Sequence, residues 1–326
     1  MAKSKYEYVR EFEAATDSRL LPDSYVVVRV DGQCFHRFAK EHQFLKPNDK
    51  RALDLMNKSA LHVMRTFYPN IIMAYGQSDE YSFIIRRLAY FFNRRTAKIT
   101  SLITSAFTSA FVFYWPRFFC SIPLKYPPSF DGRAVLYPNE RTLTDYLRWR
   151  QVDCHINNLY NTAFYALTGE YTRYVPDTSN CSPSNSPPTT YNLFLGDPSA
   201  KAPNRTFYSH AEATQRLSGS SSADKNELMF TDYGVNYNDE LQQFRKGTAI
   251  VLTPPQADTT TKVDLPETPA VVIKPSKSAL KRSAKVEEDF AALAIDQQER
   301  FFTTLHTDII REDGDFWTAY SHLLKL

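Results

Sequence analysis

The chain has 326 residues, 43% of them hydrophobic and 14% aromatic, which is ample apolar material for one large domain or two modest ones. Its 39 Lys and Arg stand against 36 Asp and Glu, so any nucleic-acid surface must come from local clusters of cations and not from the net charge of +3. Four cysteines, with no CxxC pair and no His cluster, exclude a zinc site legible in sequence. They read as reduced thiols of a cytoplasmic or nuclear protein, mitochondrial residence being open, and the polar start Met1-Ala-Lys-Ser-Lys5 does not read as a secretory signal.

In chain order, Tyr25-Val-Val-Val-Arg-Val30 is a β-branched run that predicts a buried strand, stopped by Asp31-Gly32. Asn48 and Asp49 offer caps for a helix that carries Ala52, Leu55, Met56, Ala60, Val63, Met64 and Phe67 on one face. Ile71–Tyr75 and Glu80–Ile85 predict two strands, joined into a hairpin by the turn residues Gly76-Gln-Ser-Asp79. A long helix is expected from about Arg94 to Tyr114. Its apolar stretch Ile99–Trp115 is punctuated by Ser and Thr and repeats at helical spacing, which predicts a buried helix and no membrane span. Gly132–Tyr137 predicts a fourth strand, and Thr142–Leu167 a further helix.

Composition then shifts. A palm-like catalytic domain is expected over 1–168, followed by a disordered Ser/Pro insertion over 169–206. The remainder of the domain, helical plus one strand at Thr248–Leu252, takes 207–253. A Pro/Thr/Lys linker over 254–285 leads to a helical tail over 286–326, which docks either on the domain or on a partner. The basic run Lys274–Lys285 reads as solvated linker, or else as an import signal.

The chemistry-bearing residues sit where strands end. Asp31 follows the first strand, and Asp79 and Glu80 lie at the hairpin. In an α+β fold with a palm-like β-α-β-β core and additional helices, these acids come together on neighbouring strands. Two carboxylates there suit a pair of divalent cations that clamp the attacking and leaving oxygens of a phosphoryl transfer. Magnesium favours such hard oxygen ligands, and the backbone carbonyl of Gly32 is a third donor. Taken singly, Asp-Gly and Ser-Asp are ordinary turn chemistry; the pair is what points to a site. Arg94, Arg95 and Lys98 open the long helix, where a triphosphate finds cations and free amides, although basic residues also flank many helices as solvated charges. Lys46 is similarly placed just ahead of the Asn48 cap.

Several strings, in order, resemble the tRNA-histidine guanylyltransferase family of 3′-5′ nucleotide-adding polymerases. They include Val28-Arg-Val-Asp-Gly32, Phe35-His-Arg-Phe38, Lys46-Pro-Asn-Asp49 and Tyr75-Gly-Gln-Ser-Asp-Glu-Tyr-Ser-Phe83. Arg94-Arg-Thr-Ala-Lys98, Tyr126-Pro-Pro-Ser-Phe-Asp-Gly-Arg133, Trp149-Arg-Gln-Val-Asp-Cys-His-Ile-Asn-Asn-Leu-Tyr-Asn-Thr162 and Ala223-Asp-Lys-Asn-Glu227 continue the match. The resemblance implies a homotetrameric enzyme that adds GMP to the 5′ end of tRNA-His, with ATP and GTP as substrates and two Mg²⁺ ions. It further implies that Asp31, Asp79 and the Gly32 carbonyl hold metal and that Glu80 supports them. Lys46, Asn48, Asp49, Ser78, Arg95 and Lys98 would meet nucleotide, and His155, Asn157, Asn158, Asn161 and Lys225 would meet tRNA. A templated 5′-end repair polymerase and a catalytically silent tRNA-binding protein share the pattern. Gln33 departs from the Arg usual after Asp-Gly, and Leu45 from a small residue, which touches phosphate contacts and base selectivity respectively.

Overall fold

The computed structural model describes residues 4–174, 190–192, 206–253, 276–311 and 314–325. In chain order the elements are α1 (Val9–Thr16), β1 (Tyr25–Gly32), α2 (Phe35–Glu41), α3 (Lys50–Thr66), β2 (Ile71–Gln77), β3 (Glu80–Ile85), α4 (Thr96–Phe118), β4 (Phe130–Tyr137) and α5 (Glu140–Thr168). There follow β5 (Thr172–Tyr174), β6 (Thr190–Asn192), α6 (His210–Leu217), α7 (Ser222–Tyr233), α8 (Gln242–Lys246), β7 (Thr248–Leu252), α9 (Lys277–Ala291), α10 (Ile295–Glu299), β8 (Phe302–Leu305) and α11 (Asp315–Tyr320).

An antiparallel sheet in the order β4-β1-β3-β2-β7-β8 forms the centre, and β5 and β6 pair separately. The α+β palm-like core expected from sequence is therefore present, with β2 and β3 joined by a tight turn at Ser78-Asp79. Because strand side chains alternate between faces, the sheet presents two different surfaces. On one, Tyr81 and Phe83 pack against Phe107 of α4, and the Tyr81 hydroxyl donates to Asn57 of α3 at 2.8 Å. On the other, Ser82 and Tyr146 of α5 share a hydrogen bond at 2.6 Å.

Helix α4 is long and apolar enough, by composition alone, to cross a membrane. Its Ile99, Ile103, Phe107, Phe111 and Trp115 are instead buried in the core, each worth about 1.5–3 kcal/mol on burial. It begins at Thr96, two residues later than its sequence pattern indicates, because Phe92, Asn93 and Arg94 take left-handed backbone angles (φ 51°, 52° and 55°) and cannot continue a right-handed helix. A second core gathers around α5, α6 and α7, with Leu159, Ala163, Tyr171, Met229 and Tyr237 buried together.

The carboxy-terminal region departs from the sequence expectation. Residues 254–275 of the expected linker lie outside the described residues, but Lys277–Lys285 form the first half of α9. The tail is also not purely helical. Phe302-Thr-Thr-Leu305 is aromatic and β-branched, and β8 pairs with β7 from Ala249↔Leu305 to Leu252↔Phe302, covering an otherwise open sheet edge. The expected disordered insertion falls mostly on 175–189 and 193–205, which are outside the described residues.

The tail docks on the domain itself. Phe290 stacks on Tyr68 with ring centroids 3.9 Å apart, Glu299 pairs with Lys58 at 2.6 Å, and the Tyr25 hydroxyl donates to the Leu324 carbonyl at 2.6 Å. Phe290→Ala is therefore expected to lower folding stability by about 3 kcal/mol, in line with buried Phe deletions. Urea unfolding of the two proteins, compared at equal m-value, measures it. A loss below about 1 kcal/mol would mean the tail is peripheral.

Candidate active site

Strand pairing builds one acidic end of the sheet. β1 and β3 run antiparallel with Asp31 opposite Glu80, and the Gly32 amide donates to the Asp79 carbonyl at 3.0 Å. Asp79 occupies the hairpin tip beside Ser78, which adopts φ 49° and donates its hydroxyl to the Asp79 carboxylate at 3.1 Å. Gly32 is required for packing as well: a Cβ there would lie 2.6 Å from the Phe35 ring. The two aspartates predicted from sequence thus meet at the same sheet end.

Behind them lies a network that sequence reasoning missed. Arg29, two residues before Asp31 and on the same face, donates to Asp31 at 2.5 Å and to Glu80 through both Nε (2.9 Å) and Nη2. The second Glu80 oxygen accepts from Arg150 of α5 at 2.8 Å and from Gln77 at 3.2 Å. Arg150 also pairs with Asp153 at 2.6 Å. Glu80 is buried, and its oxygens are engaged by two guanidinium groups and an amide. It acts as an anchor for its neighbours, with its lone pairs already spent. One signal was available: an arginine inside a valine-rich strand must find a partner, since an unpaired buried charge is costly. Which acid it finds depends on strand register, which no single strand reveals.

Burial pushes the Asp79 carboxyl up to about 6, and the Asp31 charge adds to the rise. A desolvated carboxylate beside another acid is the kind of position that a divalent cation relieves. Among the described residues no group of three or more His, Cys, Asp or Glu side chains forms a metal cage. Two carboxylates and a backbone carbonyl fit a hard ion that completes its shell with water and substrate oxygens.

The raised Asp79 value has a stability consequence. The folded state binds this proton more tightly than the unfolded chain does, so stability contributed by the site falls as pH rises from about 4 through about 6. Asp79→Asn removes the penalty. Full conversion of the shift gives roughly 3 kcal/mol, and solvent screening at a partly exposed turn reduces it to about 1–2 kcal/mol. The variant is expected to be more stable than the parent at pH 7.5 and equal to it near pH 4, read from Tm at both values. A constant difference at both pH values would contradict the assignment.

The other predicted residues divide. Lys98 is exposed near the start of α4, its ammonium 5.1 Å from the Phe92 ring centroid. Arg95 pairs with Asp17 at 2.6 Å. Arg94, read from sequence with these two, is instead buried and bonded to main-chain carbonyls. Lys46 lies half-buried 5.5 Å from the Tyr165 ring centroid, and its desolvation lowers the ammonium pKa. Asp49 is the N-cap of α3. Its buried carboxylate caps α3, accepting from the Arg51 and Leu45 amides at 3.0 and 3.1 Å, and pairs with the Arg51 guanidinium at 2.7 Å.

On α5, His155, Asn157 and Asn161 are exposed, the last two sharing a face at i and i+4. Asn158 parts from them: it is buried, accepts from Asn48 at 2.7 Å and donates to the Tyr237 hydroxyl at 3.1 Å. It joins the loop carrying Lys46 to the second core. Lys225 of α7 donates to the Ser220 carbonyl at 2.6 Å.

Fold and site together define an α+β protein of the palm type, with an acidic pair at one end of its sheet. The tRNAHis guanylyltransferase family model matches residues 6–138, and the Thg1 C-terminal domain model matches 141–177 and 204–311. A Bos taurus relative named probable tRNA(His) guanylyltransferase is 41% identical over 99% of this chain and 89% of its own length. A Schizosaccharomyces pombe tRNA(His) guanylyltransferase is 44% identical over 78% of this chain and 82% of its own. The crystal structure of the Saccharomyces cerevisiae tRNA(His) guanylyltransferase superposes with a TM-score of 0.61 at 40% identity, covering 76% of this chain and 93% of that one. A bacterial guanylyltransferase-like protein in complex with ATP shares the fold at a TM-score of 0.55 and 21% identity, over 76% of this chain and 88% of that one. The chain belongs to the tRNAHis guanylyltransferase family, a family of nucleotidyltransferases.

Proposed function

We propose that this protein adds a guanylate to the 5′ end of tRNA-His. The observation that carries the proposal is the convergence of Asp31 and Asp79 at one sheet end, with their anchoring network complete, in a chain of this family. The reaction has three steps. The 5′-phosphate of the RNA attacks the α-phosphate of ATP and releases pyrophosphate. The 3′-hydroxyl of GTP attacks the activated 5′-phosphate and expels AMP. Water then removes pyrophosphate from the added nucleotide, leaving a monophosphate.

Asp31, Asp79 and the Gly32 carbonyl are the groups that would hold two magnesium ions. When bound, these ions neutralise phosphate charge and make the attacking oxygen more nucleophilic. Lys46, Ser78, Arg95 and Lys98 bind the triphosphate, and Asn48 positions the Lys46 loop through Asn158. The exposed residues His155, Asn157 and Asn161 of α5, with Lys225 of α7, face the RNA. The active assembly is a homotetramer, and light scattering at four times the chain mass is the matching outcome.

Purified protein incubated with Mg²⁺, ATP, labelled GTP and 5′-monophosphorylated tRNA-His, beside a tRNA of another anticodon, tests the activity. Label on tRNA-His alone supports the guanylyltransferase. Label on both, directed by the opposite strand, indicates a templated repair polymerase instead. Tight tRNA binding with no label on either would leave only a binding protein.

A further inference from the structure

We propose that Arg29 is a resident cation that stands in for a divalent ion at the acidic end of the sheet and holds its affinity down until nucleotide arrives. The inference rests on the reading of Asp31 and Asp79 as metal ligands. Arg29 is the side chain that touches both a proposed ligand and its anchor, since its Nη2 reaches Asp31 at 2.5 Å and also meets Glu80. It sits on β1 two residues before Asp31, so it shares that residue's face and stays beside it. An ion approaching Asp31 must therefore displace or repel a guanidinium already in contact.

The rest of the network is arranged so that Arg29 can let go of Asp31 without disturbing the site. Glu80 keeps Arg150 at 2.8 Å and Gln77 at 3.2 Å on its other oxygen, and Arg150 is itself fixed by Asp153 at 2.6 Å. Glu80 thus holds its place whether or not Arg29 keeps both bonds. It also offers Arg29 somewhere to remain, through Nε at 2.9 Å, once Asp31 turns to metal. Asp31 and Arg29 both retain partial solvent contact, with side chains 30% and 24% exposed, so exchange of partners needs no unfolding. A nucleoside triphosphate brings further negative charge, which tips the balance toward metal. The empty enzyme would hold its ions weakly, and the substrate complex tightly.

The test uses Mn²⁺ as probe, its free fraction read by electron paramagnetic resonance without nucleotide, on the full chain with folding checked by circular dichroism. Arg29→Gln, which removes a positive charge in contact with a ligand, is expected to tighten Mn²⁺ binding at least about fivefold. Arg29→Lys, which keeps the charge but loses the fork, should tighten it less, by about twofold. A residue that merely supports the fold would weaken metal binding when lost. Unchanged or weaker binding in Arg29→Gln overturns the proposal while leaving the metal site intact. If that variant does not fold, Arg29→Lys carries the test, and unchanged binding in it is overturning. Mn²⁺ binding that survives both Asp31→Ala and Asp79→Ala would place the ion elsewhere. That result sinks the metal-site reading first and this inference with it.

Discussion

Asp31→Ala and Asp79→Ala are each expected to lower guanylate addition at least about 10³-fold, an order beyond the 10–100-fold typical of residues that only support metal ligands. Their locations make the loss specific to chemistry. Asp79 is at a hairpin tip and Asp31 is the penultimate residue of β1, both partly exposed, so neither truncation opens a cavity in the core. Arg29 keeps Glu80 as a partner after Asp31 is lost, so no charge is left stranded. Removal of Asp79 relieves a desolvated carboxylate, so that variant should be as stable as its parent or more so. Single-turnover labelling of tRNA-His, beside thermal unfolding, checks both parts. Activity within tenfold of the parent in either variant would remove that residue from the metal site. A collapse of Tm together with activity would mean that the aspartates serve the fold.

Arg94→Ala is expected to cost about 4 kcal/mol, within the range for stranding a buried, hydrogen-bonded charged group's partners. The Arg94 side chain is only 5% exposed. It donates to the carbonyls of Leu20, Leu21 and Ser24 on one side and of Arg87 and Ala89 on the other. It thereby ties the segment before β1 to the loop after β3. Its own backbone and those of Phe92 and Asn93 are left-handed, a conformation costing about 1–2 kcal/mol per residue, which the guanidinium contacts offset. Truncation leaves buried carbonyls without donors and releases that strained turn just ahead of α4. Chemical unfolding measures the loss, and Arg94→Lys should recover little of it, because an ammonium cannot span five carbonyls. A change below about 1 kcal/mol would show that the surrounding carbonyls find water instead.

This arginine also marks where sequence patterns stop being informative. Arg94-Arg-Thr-Ala-Lys98 reads as one basic cluster at a helix start, and nothing in the string separates a buried structural cation from its exposed neighbours. Asp49 and Asn158 pose the same problem. Each lies in a motif tied to ligand binding, yet one caps α3 and the other crosses 110 positions to meet Asn48. Polar residues are ambiguous because their partners are chosen in three dimensions. The tail shows a related effect: a short edge strand such as β8 is stabilised by pairing with β7, and an isolated four-residue run carries too little periodicity to announce it.

What the sequence determined by itself was local and periodic. The β-branched run of β1, the turn chemistry between β2 and β3, and the apolar faces of α3 and α4 follow from steric preference and from burial at intervals of two or 3.6 residues. With them came the strand-end positions of Asp31 and Asp79. The tertiary structure decided the long-range pairings: Arg29 with Asp31 and Glu80, Arg150 with Glu80, Arg94 with five carbonyls, and β8 at the sheet edge. Charges and amides interact at hydrogen-bond range, and only strand register and helix packing bring residues dozens of positions apart within it.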